Sequence, residues 1–252
     1  MLDAGIDLRN YNEMLRYESS MDELRAIALY IAESDPLQEI FEGIKSTEYL
    51  FVLIKYYCRL FAEDIFERSQ ITDSKRDLLD SGLYTIKKAL GITEEDIQHA
   101  HENQLYKNSG FWEMRRYLGL FVDIAEEVAT NPPDAIVCAG ISGCVIGEYL
   151  GLVLEKKFNL KIPVVHMVFS REDKQPVAGI LPDSMGIDLS RALLVEDAVI
   201  ESRTSRVMIE TLAKISPDIN CSLFALEIEQ NQVGGDITIR GVTREITLQG
   251  AF

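Results

Sequence analysis

Two consecutive prolines, Pro132 and Pro133, constrain this chain more than any other feature of it. Each fixes its own φ and lacks the backbone N–H that a helix needs, so a helix arriving from the N-terminal side stops at Asn131-Pro132-Pro133-Asp134. The patterning differs on the two sides of that stop. Upstream, apolar residues recur at helical spacing: Leu24, Ile27, Ala28 and Ile31 after the capping box Ser20-Met21-Asp22-Glu23, then Leu50, Leu53, Ile54, Tyr57, Phe61 and Ile65 over 46–69. Asp73 caps a further helix to Leu90, which Gly91 ends, and Thr93 with Asp96 opens a short one. Ser109 caps a last helix through Ala129. Downstream, short β-branched and apolar runs alternate with helical ones. Strands are expected at 135–139, 162–169, 192–195 and 222–228, with a terminal pair at 237–240 and 245–248. Such alternation implies a parallel sheet with helices on both faces. The expected organisation is an all-helical domain, 1–131, followed by an α/β domain, 132–252, that closes with a C-terminal hairpin.

Charge and cysteine usage narrow the function. A formal net charge of −16 argues against broad binding to nucleic acid or to an anionic membrane, both of which favour basic surfaces. The most apolar segment, 49–61, is interrupted by Lys55 and Arg59 and is too short and too charged to span a bilayer. Cys58, Cys138, Cys144 and Cys221 are widely spaced without a CxxC, which argues against zinc and for buried reduced thiols in a cytoplasmic protein. The helical part carries little chemistry. His99 and His101 lie two apart, on different faces of a helix, and Arg115-Arg116 reads as a solvated face. Its aromatic residues Tyr56, Tyr57, Phe61 and Phe66 read as core, or as contact with a second copy or a protein partner.

The chemistry concentrates at 191–212. A buried apolar run, Ala192 to Val195, is closed by two adjacent carboxylates, Glu196 and Asp197. The polar turn Glu201-Ser202-Arg203-Thr204 follows, and then a helix with Val207, Met208 and Leu212 on one face. Neighbouring carboxylates repel, so a structure gains little from them without a partner. In open α/β sheets ligands bind at the carboxyl ends of strands, and phosphates at the helix N-termini that follow.

This stretch resembles the binding motif for 5-phosphoribosyl-1-pyrophosphate (PRPP) of the type I phosphoribosyltransferases. The resemblance implies that Glu196 and Asp197 hold the ribose hydroxyls, with Mg²⁺ nearby and carried in through PRPP. It implies that Ser202, Arg203, Thr204 and Ser205 hold the 5-phosphate. Gly140-Ile141-Ser142-Gly143 is similar in position to the family's pyrophosphate loop, which assigns Ser142 and Gly143 to pyrophosphate. Ser170-Arg171-Glu172-Asp173-Lys174 resembles the start of its flexible catalytic loop, with Arg171 and Lys174 closing over the leaving group. The implied activity is that of a glycosyltransferase of nucleotide metabolism, moving a phosphoribosyl group between pyrophosphate and a nitrogenous base. Ile200, Glu201 and Ser202 depart from the family's phosphate loop, and Ser142 replaces a basic residue. Those departures motivate an alternative: a PRPP- or nucleotide-binding sensor that acts through its helical domain. A scaffold without ligand would leave the acidic pair unexplained.

Overall fold

A computed structural model describes residue 23 and residues 46–67, 73–96, 98, 120–167, 189–199, 203–228 and 243–246. The rest of the expected helix after residue 20, the start of the helix at 109, the histidine pair, Arg115-Arg116, the loop 170–188 and the strand 237–240 lie outside them.

The long helices described in the N-terminal part are α1 (Ser46–Glu67), α2 (Asp73–Leu90) and α3 (Leu120–Thr130). The short helix after Gly91 opens on a reciprocal cap. The Thr93 N–H and hydroxyl both donate to Asp96 Oδ2, at 2.7 and 2.6 Å, while the Asp96 N–H donates to Thr93 Oγ1 at 3.2 Å. The chain then alternates through β1 (Ala135–Ala139), α4 (Gly140–Phe158), β2 (Val164–Met167), β3 (Arg191–Val199), α5 (Arg203–Ile215), β4 (Asn220–Ile228) and β5 (Thr243–Ile246). The strands form one sheet in the order β2-β1-β3-β4-β5. The first four are parallel, as the alternation implied, and β5 runs antiparallel to β4. Of the expected terminal pair, 237–240 lies outside the described residues, and the segment Thr243–Ile246 pairs antiparallel with β4.

Strand alternation sorts the sheet into two buried layers. Ile136, Cys138, Val164, Leu193, Val195 and Phe224 face α4, α3 and α1. Ala135, Val137, Leu194, Leu223 and Ala225 face α5, which contributes Met208, Ile209 and Leu212. On the first layer Phe121 of α3 stands edge-on to Tyr149 of α4 (4.8 Å) and to Phe224 of β4 (5.6 Å). The helices before the prolines thus share a core with the sheet.

Helix α4 lies unusually close to the strands because Gly143, Gly147 and Gly151 turn one glycine edge toward them at intervals of four. A Cβ on Gly147 would stand 2.1 Å from Cys138 Sγ, and one on Gly151 2.9 Å from Val164 Cγ2. At the opposite end of the sheet Asp134 ties the post-proline segment to β3. Its Oδ2 accepts from the Ser190 N–H and hydroxyl, both at 2.9 Å, and from the Arg191 N–H at 2.7 Å. Arg191 also donates to Asn131 Oδ1. Those bonds, the Ser190 hydroxyl foremost, hold the Asp134 carboxyl below its ordinary pKa.

Candidate functional site

The two crossovers leave the sheet's centre in opposite directions. From β1 the chain passes through α4 to β2 on one side; from β3 it passes through α5 to β4 on the other. Strands β1 and β3 therefore flank the topological switch point, where the helices diverge to opposite faces and open a crevice at the strands' carboxyl ends.

The acidic pair sits at that crevice. The last β1–β3 pair is Cys138 with Val195, so Glu196 and Asp197 are the first β3 residues beyond the pairing with β1. They do not end their strand, as the apolar run had suggested. β3 continues to Val199 in unbroken register with β4, Glu196 opposite Ala225 and Ala198 opposite Glu227. The ladder to β4 carries the carboxylates out past their other neighbour.

Across the crevice β1 turns directly into α4. The sequence suggested a turn over 140–144 before the helix; the helix instead begins at Gly140, whose φ of +52° makes the sharp reversal available without cost to a side chain. Ala139 at the N-cap makes no side-chain hydrogen bond to the first-turn amides. Ser142 and Gly143 lie in that first turn. A Cβ on Gly143 would stand 2.6 Å from the Val195 carbonyl oxygen and 3.4 Å from Glu196 Cα. The start of α4 and the acidic pair are thus in backbone contact, and the glycine that the family resemblance assigned to pyrophosphate also has a packing requirement.

The two carboxylates diverge. Consecutive residues of a regular strand point to opposite faces. Glu196 shares its face with Leu194 and turns toward α5, where it is 5% exposed and its Oε1 accepts from the wholly buried hydroxyl of Ser205. Asp197, half-buried, turns to the face of Val195 and α4. The pair therefore does not converge on one cation, and the described residues contain no group of three or more His, Cys, Asp or Glu side chains able to hold a metal. The shared Mg²⁺ site that the resemblance placed on Glu196 and Asp197 does not fit this geometry.

Of the expected phosphate-binding residues, Arg203, Thr204 and Ser205 form the first turn of α5, with Arg203 exposed, Thr204 half-buried and Ser205 buried. Ser202, Arg171 and Lys174 lie outside the described residues.

A polar cluster that the sequence reading missed joins α4 to the N-terminal helices. Glu148, 1% exposed, stands 3.2 Å from Nε2 of the buried His166, within ion-pair distance when the imidazole is protonated, although neither atom has a hydrogen-bond partner. Arg59 of α1 approaches Glu148 at 4.0 Å and donates to Glu155 at 2.6 Å and to Glu63 at 3.3 Å. Lys55 donates to the Val164 carbonyl at 3.2 Å, so α1 also supplies a cation to β2 at the sheet's margin. The partners of Glu148 and His166 were not legible, because they are distant in sequence.

Comparison with known proteins adds a likeness of fold. No family model matches the chain, and no curated protein matches it. Solved structures similar to it include a purine phosphoribosyltransferase from Pyrococcus horikoshii Ot3, at 21% identity over 48% of this chain and 76% of that one, with a TM-score of 0.37. A second is the Helicobacter pylori xanthine-guanine-hypoxanthine phosphoribosyltransferase, at 17% identity over 46% of this chain and 75% of that one, with a TM-score of 0.36. No described helix is long and apolar enough to cross a membrane.

Proposed function

We propose that residues 132–252 form a phosphoribosyltransferase-like unit that binds PRPP or a nucleotide in the β1–β3 crevice and transfers the phosphoribosyl group between pyrophosphate and a nitrogenous base. The helical part, 1–131, adds helices α1 and α3, which share a core with one face of its sheet. The observation that carries this reading is the acidic pair, just beyond the last β1–β3 pair, in backbone contact with the glycine-bearing first turn of α4. Ribose sits over the pair. Pyrophosphate lies toward the α4 amides at Ser142 and Gly143, where a helix N-terminus favours negative charge. The 5-phosphate lies toward the first turn of α5 at Arg203 and Thr204, with Ser202 ahead of it.

The reaction needs little from the protein beyond charge and position. As the C1–O bond of PRPP breaks, the electron pair leaves with pyrophosphate and a base nitrogen takes its place on C1. Negative charge grows on the leaving group, which cations and amides stabilise once water is excluded. Arg171 and Lys174 serve as those cations in this reading. Calorimetric titration of the full chain with PRPP and Mg²⁺, followed by a pyrophosphate-release assay across a panel of bases, tests it. Saturable binding with release for at least one base is expected; an absence of binding removes the function.

A second reading, a sensor that binds PRPP or a nucleotide without turning it over, is favoured by one observation. Helix α4 runs from the crevice to the N-terminal helices, where Glu148 and Glu155 meet Arg59 of α1. A ligand that shifted its first turn would be felt at α1. Binding without pyrophosphate release selects this reading.

A further inference from the structure

We propose that the acidic pair is divided in function: Asp197 is the carboxylate that meets the ribose, while Glu196 is a positioning residue that ties β3 to the first turn of α5 through Ser205. The inference rests on the reading of the crevice as a PRPP site, and departs from the joint role that the family resemblance assigns to both acids.

The register of β3 decides which carboxylate goes where. Glu196 opposite Ala225 and Ala198 opposite Glu227 leave no bulge between them, so the side chains of Glu196 and Asp197 leave the strand on opposite faces. Glu196 goes to the layer that holds Met208, Ile209 and Leu212 of α5. There it is 5% exposed, and the hydroxyl that donates to it is 0% exposed. A carboxyl group in that setting depends on its donors, and leaving Ser205 for a sugar hydroxyl would strand a buried polar group. Asp197 has the opposite aspect, half-buried on the face of α4's first turn. One carboxylate accepts from two hydroxyls at once, so a vicinal diol needs no second acid.

The link through Ser205 has a consequence for the other end of the ligand. Ser205 is the third residue of α5, so Glu196 fixes the helix start that this reading assigns to the 5-phosphate. Ribose and 5-phosphate are held by one connected unit, β3 with α5. Pyrophosphate faces the other side of the crevice, at α4. Perturbing Ser205 therefore affects the phosphoribosyl half of the site selectively.

Titration calorimetry of the full chain with PRPP·Mg²⁺, and separately with pyrophosphate, tests the division. D197N is expected to weaken PRPP about tenfold or more, because hydrogen bonds to a charged acceptor are lost. E196Q keeps an oxygen that accepts from Ser205 and is expected to weaken it by less than about threefold. S205A is expected to weaken PRPP and leave pyrophosphate unchanged, with S205T restoring PRPP; a merely structural role would move both ligands alike. Equal losses in E196Q and D197N overturn the division, as does S205A acting equally on the two ligands. If S205A fails to fold, the E196Q and D197N pair still decides. Failure of the native chain to bind PRPP is a different result and overturns the crevice reading together with the division.

Discussion

Adding one methyl group at Gly143 tests the seating of α4 on which the crevice depends. The Cβ of G143A would lie 2.6 Å from the Val195 carbonyl oxygen, 0.8 Å inside the 3.4 Å at which ordinary contact begins. That oxygen cannot swing aside, because Val195 is held in register with Cys138 on one side and Phe224 on the other. The helix must move instead, against a layer that is already closely packed at Gly147 and Gly151. Overpacking of this kind costs about 1–3 kcal/mol. Alanine recovers about 0.5–1 kcal/mol through its better helix propensity. The net loss is on the order of 1 kcal/mol or more, a Tm decrease of ~2–4 °C per kcal/mol for a chain this size. Urea and thermal unfolding of G143A and G140A together make the comparison specific. Gly140 has open space around a would-be Cβ but a φ of +52°, so its cost is backbone strain and asparagine relieves it. At 143 asparagine makes matters worse. A G143A chain as stable as the native one, or stabilised, would refute the close seating of α4 on β3.

Four other outcomes follow from the polar and thiol chemistry. E148L and H166L should each destabilise the chain, and the double variant should fall short of their sum by about 0.5–3 kcal/mol in urea unfolding, since each leaves the other's polar group buried; strict additivity would refute the contact. Asp134 has its folded pKa below its ordinary value of 3.8, so it stabilises the fold above that value and loses the contribution as pH falls through the depressed folded value. D134A should flatten the acid limb of stability below pH ~4, and an unchanged limb counts against the Ser190 and Arg191 bonds. All four cysteines are buried and free, so they should resist a thiol reagent in the native chain and react in denaturant. Burial pushes the Cys221 thiol up to about 12 and raises Cys138 and Cys144 well above the usual value. The folded chain keeps these protons while the unfolded chain sheds them near 9.0, so stability should decline as pH rises beyond 9.0.

Much of this architecture is written in local sequence. The prolines ended α3, and strand β1 occupies the expected 135–139, because steric blocks and a five-residue apolar run act without regard to distant contacts. Helices α1 and α2 begin where the patterning placed them, at Ser46 and Asp73, for the same reason. Strand lengths were less legible. β3 runs to Val199 rather than stopping at the carboxylates because its ladder to β4 satisfies backbone groups that sequence leaves open. The acidic pair and the helix after it were visible as a motif. Which way each acid points was not, since that depends on the register of β3 and on a serine nine residues later folding back under Glu196. The same holds for Glu148 and His166, whose partners come from α1, α4 and β2. Local order follows from the chain's own sterics and periodicity. The division of the acidic pair between two faces, and the buried polar groups behind α4, exist only once separate elements pack, because a carboxylate's role is set by what tertiary contact places around it.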